Sequence, residues 1–373
     1  MEEVYITYGN QPDDMVFRLL EASSALAGLK QGDRVFIKPN LVASRKNWAG
    51  VDTDPRVVEA LIKALTEKGL HRITVGDGSG MGQSASRAFE YCGYTGMAKR
   101  YGFQLLDIER DDFVRLPVTA AGPFRELEIS RAIVESDVFI NVPILKAHSQ
   151  TLVTCSMKNL KGAMPRHMKT RFHSVDLHRA IAQLNSVLKP DLILVDGLQG
   201  DLTSELGRDP VVMDRMLLGT NPVAVDSVVA EILGYAPRDI QHIADAADAG
   251  LGTCDLEKIR VRRLNKPSEE KRFAPPPHYS ERFPCTVIAD GACCTCTGNL
   301  VFALERLHRQ GLLSKRVRIL TGQQAKLPDA TDVFTVAVGS CVSKEAGADC
   351  RIDACPPGTG LIYQTIAKAL KGI

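Results

Sequence analysis

Residues 35–40 read Val-Phe-Ile-Lys-Pro-Asn, a short apolar, β-rich run that ends in polar residues. Similar runs occupy 73–75, 138–142 and 192–195, and glycine, proline or aspartate follows each of them at once. Short continuous apolar runs bounded in this way are typical of parallel strands that are buried on both faces. The four runs therefore predict strands of one parallel sheet.

Helical patterns lie between and after these strands. Residues 55–68 place apolar side chains at i, i+3 and i+4, residues 175–188 form a second helical segment, and residues 222–233 form a third. The third segment begins behind Asn221, a good N-cap, and ends at Gly234. Alternation of strand and helix predicts a mostly parallel, doubly wound α/β sheet.

Composition excludes several classes of protein. The chain has 373 residues, of which 45% are hydrophobic and 24% charged, and its formal net charge is +2. These values are typical of a globular protein and rule out disorder, collagen and coiled coil. A charge so close to zero offers no basic field for nucleic acid. The first residues are acidic, and no run approaches the roughly 18 apolar residues of a membrane span. We therefore expect a cytoplasmic protein with neither a nucleic-acid nor a membrane partner.

A charged, proline-rich segment divides the chain. Residues 265–284 read NKPSEEKRFAPPPHYSERFP, which is typical of a linker or of an arm that wraps across a domain. We expect an α/β domain over 1–264, this linker or arm over 265–284, and a smaller cysteine-rich α/β domain over 285–373. In the last domain the patterns predict helices around Leu300–Leu307 and Gly360–Leu370, and strands at Val317–Leu320 and Val333–Val338.

The cysteines are concentrated near the end of the chain. Seven of the ten lie in the last quarter, namely Cys285, Cys293, Cys294, Cys296, Cys341, Cys350 and Cys355. In a cytosolic protein such a group binds metal more often than it forms disulfides. The other three, Cys92, Cys155 and Cys254, have apolar or small neighbours and are interpreted as packing thiols.

Four of these cysteines predict a metal centre. Cys293 and Cys296 form a CxxC pair at the start of a helix, Cys341 closes a strand, and Cys355 precedes a proline. Four thiolates suit one four-iron four-sulfur cluster. Zinc is the rival, but a zinc ribbon normally supplies two close pairs, whereas Cys341 and Cys355 are 14 positions apart. Cys294 and Cys350 are the alternative ligands.

Polar residues follow the predicted strands, and the carboxyl ends of parallel strands meet at one edge of a sheet. We therefore expect a crevice for an anionic ligand, with Lys38, Asn40, Asp77, Ser79, Lys146 and Asn159 as binding residues. The glycine-rich loop 76–82 has two interpretations, an anion site built from backbone amides or a turn that needs positive φ. Asp226 is interpreted either as a solvated or capping carboxylate or as a ligand.

Residues 148–173 concentrate histidine, lysine and arginine directly after a buried strand. A solvated basic surface is one interpretation. The other is a site for an anionic substrate or a nucleotide, with His148 and Lys158 as the catalytic residues and histidine available for proton transfer or metal ligation.

Several strings resemble one family along most of the chain: VFIKPNLV (35–42), VGDGSG (75–80), NVPILKAHSQTLVTCSMKNLKG (141–162), LVDG (194–197), NPVAVDSVVAEILGY (221–235) and the DGACCTC and ACPP cysteine strings. They are similar to the domain of unknown function 362 family. The resemblance implies a cytosolic protein of the kind found mainly in anaerobic microbes, with frequent four-iron four-sulfur ligation and no agreed reaction. It implies Cys293, Cys296, Cys341 and Cys355 as ligands, and Cys294 departs from the pattern as an extra thiol.

A more distant resemblance links the segment after His148 to the lactate racemase family. His148, Lys158 and His173 have a similar order and spacing, although the glycine-rich motif of that family is missing. The resemblance implies a nickel-pincer nucleotide held by Lys158, with His173 near the metal.

Together these patterns predict a cytoplasmic iron-sulfur oxidoreductase that acts on a small anionic molecule. Two alternatives stay open: a non-enzymatic electron carrier or cluster-delivery partner, and a metal-dependent hydroxy-acid isomerase. Expected partners are the small anionic molecule and a redox protein, and a homodimer also stays open.

Overall fold

The structure is a computed structural model that describes residues 1–42, 49–80, 83–148, 150–173, 175–203, 210–269, 271, 273–275, 281–292, 294–326, 333–344 and 347–371. Its strands are β1 Glu2–Tyr8, β2 Arg34–Pro39, β3 Arg72–Asp77, β4 Gln104–Asp107, β5 Phe113–Pro117, β6 Glu126–Ser130, β7 Val138–Val142, β8 Lys146–His148, β9 Leu152–Thr154, β10 Leu192–Asp201, β11 Pro210–Gly219, β12 Ile259–Arg263, β13 Thr286–Ile288, β14 Val317–Thr321, β15 Phe334–Val338 and β16 Cys350–Ile352. Its helices are α1 Pro12–Ser23, α2 Pro55–Glu67, α3 Ala85–Tyr91, α4 Tyr94–Tyr101, α5 Arg131–Val134, α6 Ser156–Asn159, α7 Arg166–His173, α8 Leu177–Val187, α9 Pro222–Ile232, α10 Gln241–Asp248, α11 Cys294–Arg309 and α12 Thr359–Lys371.

The chain divides into two compact units. Unit 1 comprises Met1–Phe172 and Asp176–Pro275, and unit 2 comprises His173–Val175 and Pro276–Ile373. The division near residue 275 falls inside the segment 265–284, which the composition marks as a linker. The finer boundaries at 264/265 and 284/285 stay predictions.

Within the described residues, unit 1 has an eight-stranded sheet in the order β12-β1-β11-β10-β7-β2-β3-β4. The five strands from β10 to β4 are parallel to one another, whereas β11 runs antiparallel to both β10 and β1. The predicted mostly parallel α/β sheet is therefore confirmed.

Helices cover both faces of this sheet. Leu218 belongs to the same apolar cluster as residues of α1 and α2. A β-carbon on the next residue, Gly219, would lie 2.6 Å from Val225 Cγ2 of α9. Successive residues of a strand point to opposite faces, so α9 packs on the face opposite to α1 and α2. This is the doubly wound arrangement.

The sequence of α2 explains how one of these helices forms and packs. Its N-cap, Asp54, accepts a hydrogen bond from Arg56 N, and Pro55 occupies the first helical position, where its missing N–H costs nothing. Val58, Leu61 and other apolar residues of its inner face are fully buried. Each such side chain contributes about 1.5–3 kcal/mol on burial, which fixes α2 against β2 and β3.

Several strands of unit 1 escape detection in the sequence. The strand predicted at 192–195 continues to Asp201 as β10 and pairs with β11 over most of its length. Short continuous apolar runs are typical of parallel strands that are buried on both faces, whereas β1 and β11 mix apolar with polar residues and lack such a run over their full length. Their strand character depends on pairing with each other.

Unit 2 is a smaller α/β layer structure. Its strands have the order β13-β14-β15-β16, and every neighbouring pair is parallel. Residues of α11 and α12 share one apolar cluster with one face of this sheet. The predicted helices and the first predicted strand of the C-terminal region fall within α11, α12 and β14, whereas the strand predicted at Val333–Val338 begins one residue before β15.

No helix among the described residues has the length and apolar character that crossing a membrane requires.

Candidate functional site

Three cysteines of unit 2 lie at the carboxyl edge of its parallel sheet, whereas Cys285 and the alternative ligand Cys350 lie at the amino ends of β13 and β16. Cys296 is in the first turn of α11, which follows β13, whereas Cys341 follows β15 and Cys355 follows β16. Because all four strands are parallel, their carboxyl ends meet at one edge, where ligands of open α/β sheets usually bind. Cys293 and the side chain of Cys294 lie outside the described residues.

Backbone hydrogen bonds tie two of the cysteine-bearing segments together. Gly339 N donates to Ile352 O at 3.0 Å, and Ser340 N donates to Ala354 O at 3.0 Å. The turn that leads into Cys341 therefore runs beside the segment that leads into Cys355.

Two of the sulfur atoms face the space next to Gly339. This residue has φ +104°, and a β-carbon placed on it would lie 3.4 Å from Cys341 Sγ and 3.9 Å from Cys296 Sγ. Cys296 is buried, Cys341 half-buried and Cys355 exposed. The described side chains do not include those of Cys293 and Cys294. Among the described ones, no group of three or more His, Cys, Asp or Glu side chains has metal-binding geometry. Two thiols, those of Cys296 and Cys341, therefore approach one space, and thiolates are the ligands that an iron-sulfur cluster or zinc takes.

A second polar cluster occupies the carboxyl ends of β2 and β3 in unit 1. Lys38 Nζ forms a 2.6 Å ion pair with Asp77 Oδ1 and donates to Asn159 Oδ1 at 3.3 Å. Asn40 Nδ2 donates to the same oxygen of Asn159 at 2.8 Å. Lys146 Nζ donates to Asn40 Oδ1 at 3.4 Å and to Val51 O. Five of the predicted binding residues are therefore joined by direct contacts.

These side chains are buried in the structure. Lys38 and Lys146 are 0% exposed, Asp77 3%, Asn159 4% and Asn40 6%. Burial of a charge is costly unless it is paired and hydrogen-bonded, and the Lys38–Asp77 pair meets that condition. Burial lowers the pKa of Lys38, and the charge of Asp77 opposes the change. The strand-end residues thus form a closed polar cluster, and Asn159, which belongs to the stretch 148–173, is not part of a solvated surface.

Ser79 and His148, two further predicted site residues, make contacts other than those that join the five cluster residues. The Ser79 hydroxyl is buried without a hydrogen-bond partner among the described residues, and the Ser79 carbonyl accepts from Lys169 Nζ at 3.0 Å. His148 is 7% exposed, and its Nδ1 accepts from Gln150 N at 3.0 Å and Thr151 N at 3.4 Å. An Nδ1 that accepts leaves the proton of the neutral ring on Nε2.

Lys158 lies near a different pair of residues. His178 of α8 and His242 of α10 stack with their ring centroids 5.8 Å apart. Burial lowers the pKa of both histidines, and the positive charge of Lys158 acts in the same direction. The side chain of His173 lies outside the described residues, so the placement of a nickel-pincer nucleotide between Lys158 and His173 stays a prediction.

Two residues of the cluster were not singled out in the sequence. Lys169 Nζ binds Glu109 Oε1 at 2.7 Å and Gly78 O at 3.2 Å. A β-carbon on Gly162 would lie 2.1 Å from Asp77 Oδ1 and 2.6 Å from Lys38 Nζ. Lys169 belongs to the basic stretch 148–173. The sequence does not distinguish it from neighbours such as Arg171, and only the fold shows that Lys169 is buried and Arg171 exposed. Gly162 carries no signal beyond being a glycine.

The loop after β3 needs glycine for close approach rather than for positive φ. Gly76, Gly78 and Gly80 are not among the positive-φ residues. A β-carbon on Gly78 would lie 2.7 Å from Gly162 O, and one on Gly80 would lie 2.6 Å from Val42 O. The positive-φ interpretation of this turn is wrong for these three glycines.

Asp226 is a buried capping carboxylate. It is 0% exposed, and its two oxygens accept from Ser156 N at 2.8 Å and Met157 N at 2.9 Å at the start of α6. Burial raises the pKa of Asp226 to about 7. Capping is thus confirmed, while solvation of this carboxylate is excluded.

A surface groove of about 730 Å³ lies elsewhere in unit 1. Its lining residues are Glu109, Phe113, Pro165, Arg166, His167 and Thr170. Four of them belong to the stretch 148–173, for which an anion site is one interpretation, but none is a site residue predicted individually. It touches the strand-end cluster only through Glu109, the partner of Lys169.

The protein thus consists of two α/β units. Strand ends of the sheet in unit 1 carry a buried polar cluster, and the carboxyl edge of the sheet in unit 2 carries cysteines that form a candidate thiolate centre. Residues 35–231, more than half of the chain, match the family model described as Domain of unknown function (DUF362), and the protein belongs to this family.

The chain is also similar to the thylakoid-associated protein sll1697 of Synechocystis. The two are 28% identical over 236 residues, which cover 61% of this chain and 72% of that protein. Two solved structures align at 12% identity. The lactate racemase apoprotein from Thermoanaerobacterium thermosaccharolyticum has a TM-score of 0.41 over 62% of this chain and 57% of its own. A structural-genomics protein from Thermotoga maritima has a TM-score of 0.43 over 93% of each chain.

Proposed function

We propose that the protein holds a four-iron four-sulfur cluster on Cys293, Cys296, Cys341 and Cys355 and acts as an oxidoreductase on a small anionic molecule bound in unit 1. The observation that carries the proposal is the approach of Cys296 Sγ and Cys341 Sγ to the space beside Gly339. The proposal is also supported by the backbone hydrogen bonds that join the segment before Cys341 to the segment before Cys355. When bound, such a cluster supplies one-electron transfer.

The proposal of an anionic ligand rests on the ammonium groups that unit 1 gathers at its strand ends. The ammonium groups of Lys38, Lys146 and Lys169 lie at the ends of the strands or against the loop that follows β3. Charge-assisted hydrogen bonds from such groups stabilise phosphate or carboxylate, as a nucleotide or another small anion would offer. Asp77 and Asn159 orient Lys38, and His148 offers its Nε2–H as a hydrogen-bond donor to such a ligand.

The cluster is tested by metal analysis of protein purified without oxygen. We expect about four irons and four sulfides per chain. Single serine substitutions of Cys293, Cys296, Cys341 or Cys355 should lose them, whereas Cys92→Ser and Cys254→Ser, which change packing thiols of unit 1, should keep them. One zinc without acid-labile sulfide would refute the cluster, and stoichiometric nickel would favour the isomerase instead.

The ligand is tested by thermal unfolding with phosphate, nucleotides and small carboxylic acids. A ligand at one hundred times its dissociation constant stabilises the folded state by about 2.7 kcal/mol, which raises the melting temperature by several degrees. Ser79→Ala removes a hydroxyl that has no hydrogen-bond partner among the described residues, so it should leave the free protein intact and reduce the ligand-induced shift. Thr321→Val removes a comparable buried hydroxyl in unit 2 and should preserve the shift.

The same titration separates the oxidoreductase from an electron carrier or cluster-delivery protein. A carrier needs the cysteines but no small-molecule site in unit 1. An iron-loaded protein that none of these anions stabilises, and that reduces no small-molecule acceptor, would therefore be a carrier, and the oxidoreductase would be excluded.

A further inference from the structure

A side-chain amide ties the helix that carries Cys296 to the segment that carries Cys355. Asn299 lies on α11 three residues after Cys296, a spacing that puts both residues on one face of the helix. Asn299 Nδ2 donates to Pro357 O at 2.9 Å. Asn299 Oδ1 accepts from Thr359 Oγ1 at 3.2 Å. One end of the amide therefore engages the segment between Cys355 and α12, and the other engages the first residue of α12.

This segment has few hydrogen bonds of its own to hold it in place. Cys355 is followed by Pro356 and Pro357, neither of which has an N–H to donate. Pro357 is buried, and a buried carbonyl needs a donor, which Asn299 supplies. On the other side, Ser340 N donates to Ala354 O just before Cys355. The cysteine thus lies between a backbone contact and the Asn299 contact.

We propose that Asn299 is a positioning residue of the cysteine edge of unit 2, which holds the Cys355 segment against α11 and so limits where Cys355 can lie relative to Cys296 and Cys341. The inference rests on the proposed function, because it assigns Asn299 to the site where the cluster would bind. Asn299 itself does not ligate metal. Its role is to limit the movement of Cys355, which is exposed and follows the short strand β16.

The test uses Asn299→Ala in the full chain, with Gln310→Ala as the matched control. Gln310 Oε1 accepts from Tyr363 OH at 3.0 Å, so the control also loses an amide contact between the α11 region and α12, but away from the cysteines. In metal-free protein, Asn299→Ala should raise hydrogen exchange at the Ser340 amide about fivefold, the factor that one lost hydrogen bond allows. Gln310→Ala should leave that amide unchanged.

In iron-loaded protein, Asn299→Ala should lose iron to a chelator about fivefold faster than wild type and shift the electron paramagnetic resonance of the reduced cluster. Thr359→Val should give a smaller change, because it leaves the bond to Pro357 intact. Ser340 exchange and iron loss that both match wild type would overturn the role of Asn299. A wild-type chain that holds no iron and sulfide would refute the proposed cluster instead, and the exchange measurement on metal-free protein would then decide on Asn299 alone.

Discussion

Replacing Lys38 with methionine lowers the free energy of unfolding by about 3–5 kcal/mol, because the substitution leaves Asp77 as a buried carboxylate without its cation. The two charged groups are 2.6 Å apart, and their side chains are 0% and 5% exposed. Water cannot replace the lost ammonium at such a site. Asp77 would keep its hydrogen bond from Leu41 N, which compensates for only part of the loss. Urea unfolding of the variant and of wild type measures the difference.

Two controls separate the buried pair from a general effect of lysine replacement. Lys63→Met removes the cation of the 2.9 Å Lys63–Asp13 pair, whose side chains are 39% and 64% exposed, and should cost less than about 1 kcal/mol. Lys38→Met combined with Asp77→Leu removes both buried charges and should recover most of the stability lost in the single variant. A loss below about 1 kcal/mol for Lys38→Met alone would show that Asp77 does not depend on this cation.

The sequence predicts part of this cluster because strand ends are recognisable. Lys38 and Asp77 follow apolar runs, and parallel strands bring such residues to one edge whatever lies between them. Asn159 and Lys169 come from the stretch after β9, where short helices are placed by tertiary packing rather than by a periodic pattern. Their partners depend on how the chain folds back over the strand ends. The burial of the strand-end cluster depends on the same stretch after β9, which covers the strand ends.

The cysteine site shows the same limit. The sequence predicts Cys341 and Cys355 as ligands of one centre because the first closes a predicted strand and the second precedes a proline. The strands before them, β15 and β16, are neighbours in the sheet. The space beside Gly339 and the contacts of Asn299 involve residue types that occur throughout the chain. Only the three-dimensional positions of their neighbours distinguish them. Residue type and spacing therefore predict which residues are chemically capable, and the fold decides which of them meet.

Two buried carboxylates make stability depend on pH in the direction opposite to that of a salt-bridged carboxylate. Burial, with the nearby Asp54, raises the pKa of Asp196 to about 7, and burial raises the pKa of Asp226 to about 7. An unfolded aspartate has a pKa of about 3.9. Between these values the folded state binds more protons than the unfolded state, so the stability from each group is fully present below pH 4 and is lost as pH rises to 7.

The effect is isolated by comparing wild type with Asp226→Asn across pH, because all other titrations, including those of His178 and His242, then cancel. With a pKa of about 7 in the folded state and about 3.9 in the unfolded state, the carboxylate costs about 1–2 kcal/mol at pH 5 and about 4 kcal/mol at pH 8. The stability of wild type relative to Asp226→Asn should therefore fall by about 2–3 kcal/mol over this range in urea unfolding. Asp137→Asn is the control, since Arg34 lowers the pKa of Asp137 to about 2 and its titration ends below pH 5 in both states. A difference between wild type and Asp226→Asn that stays constant or grows with pH would mean that Asp226 is ionised in the folded protein, stabilised by the Ser156 and Met157 amides.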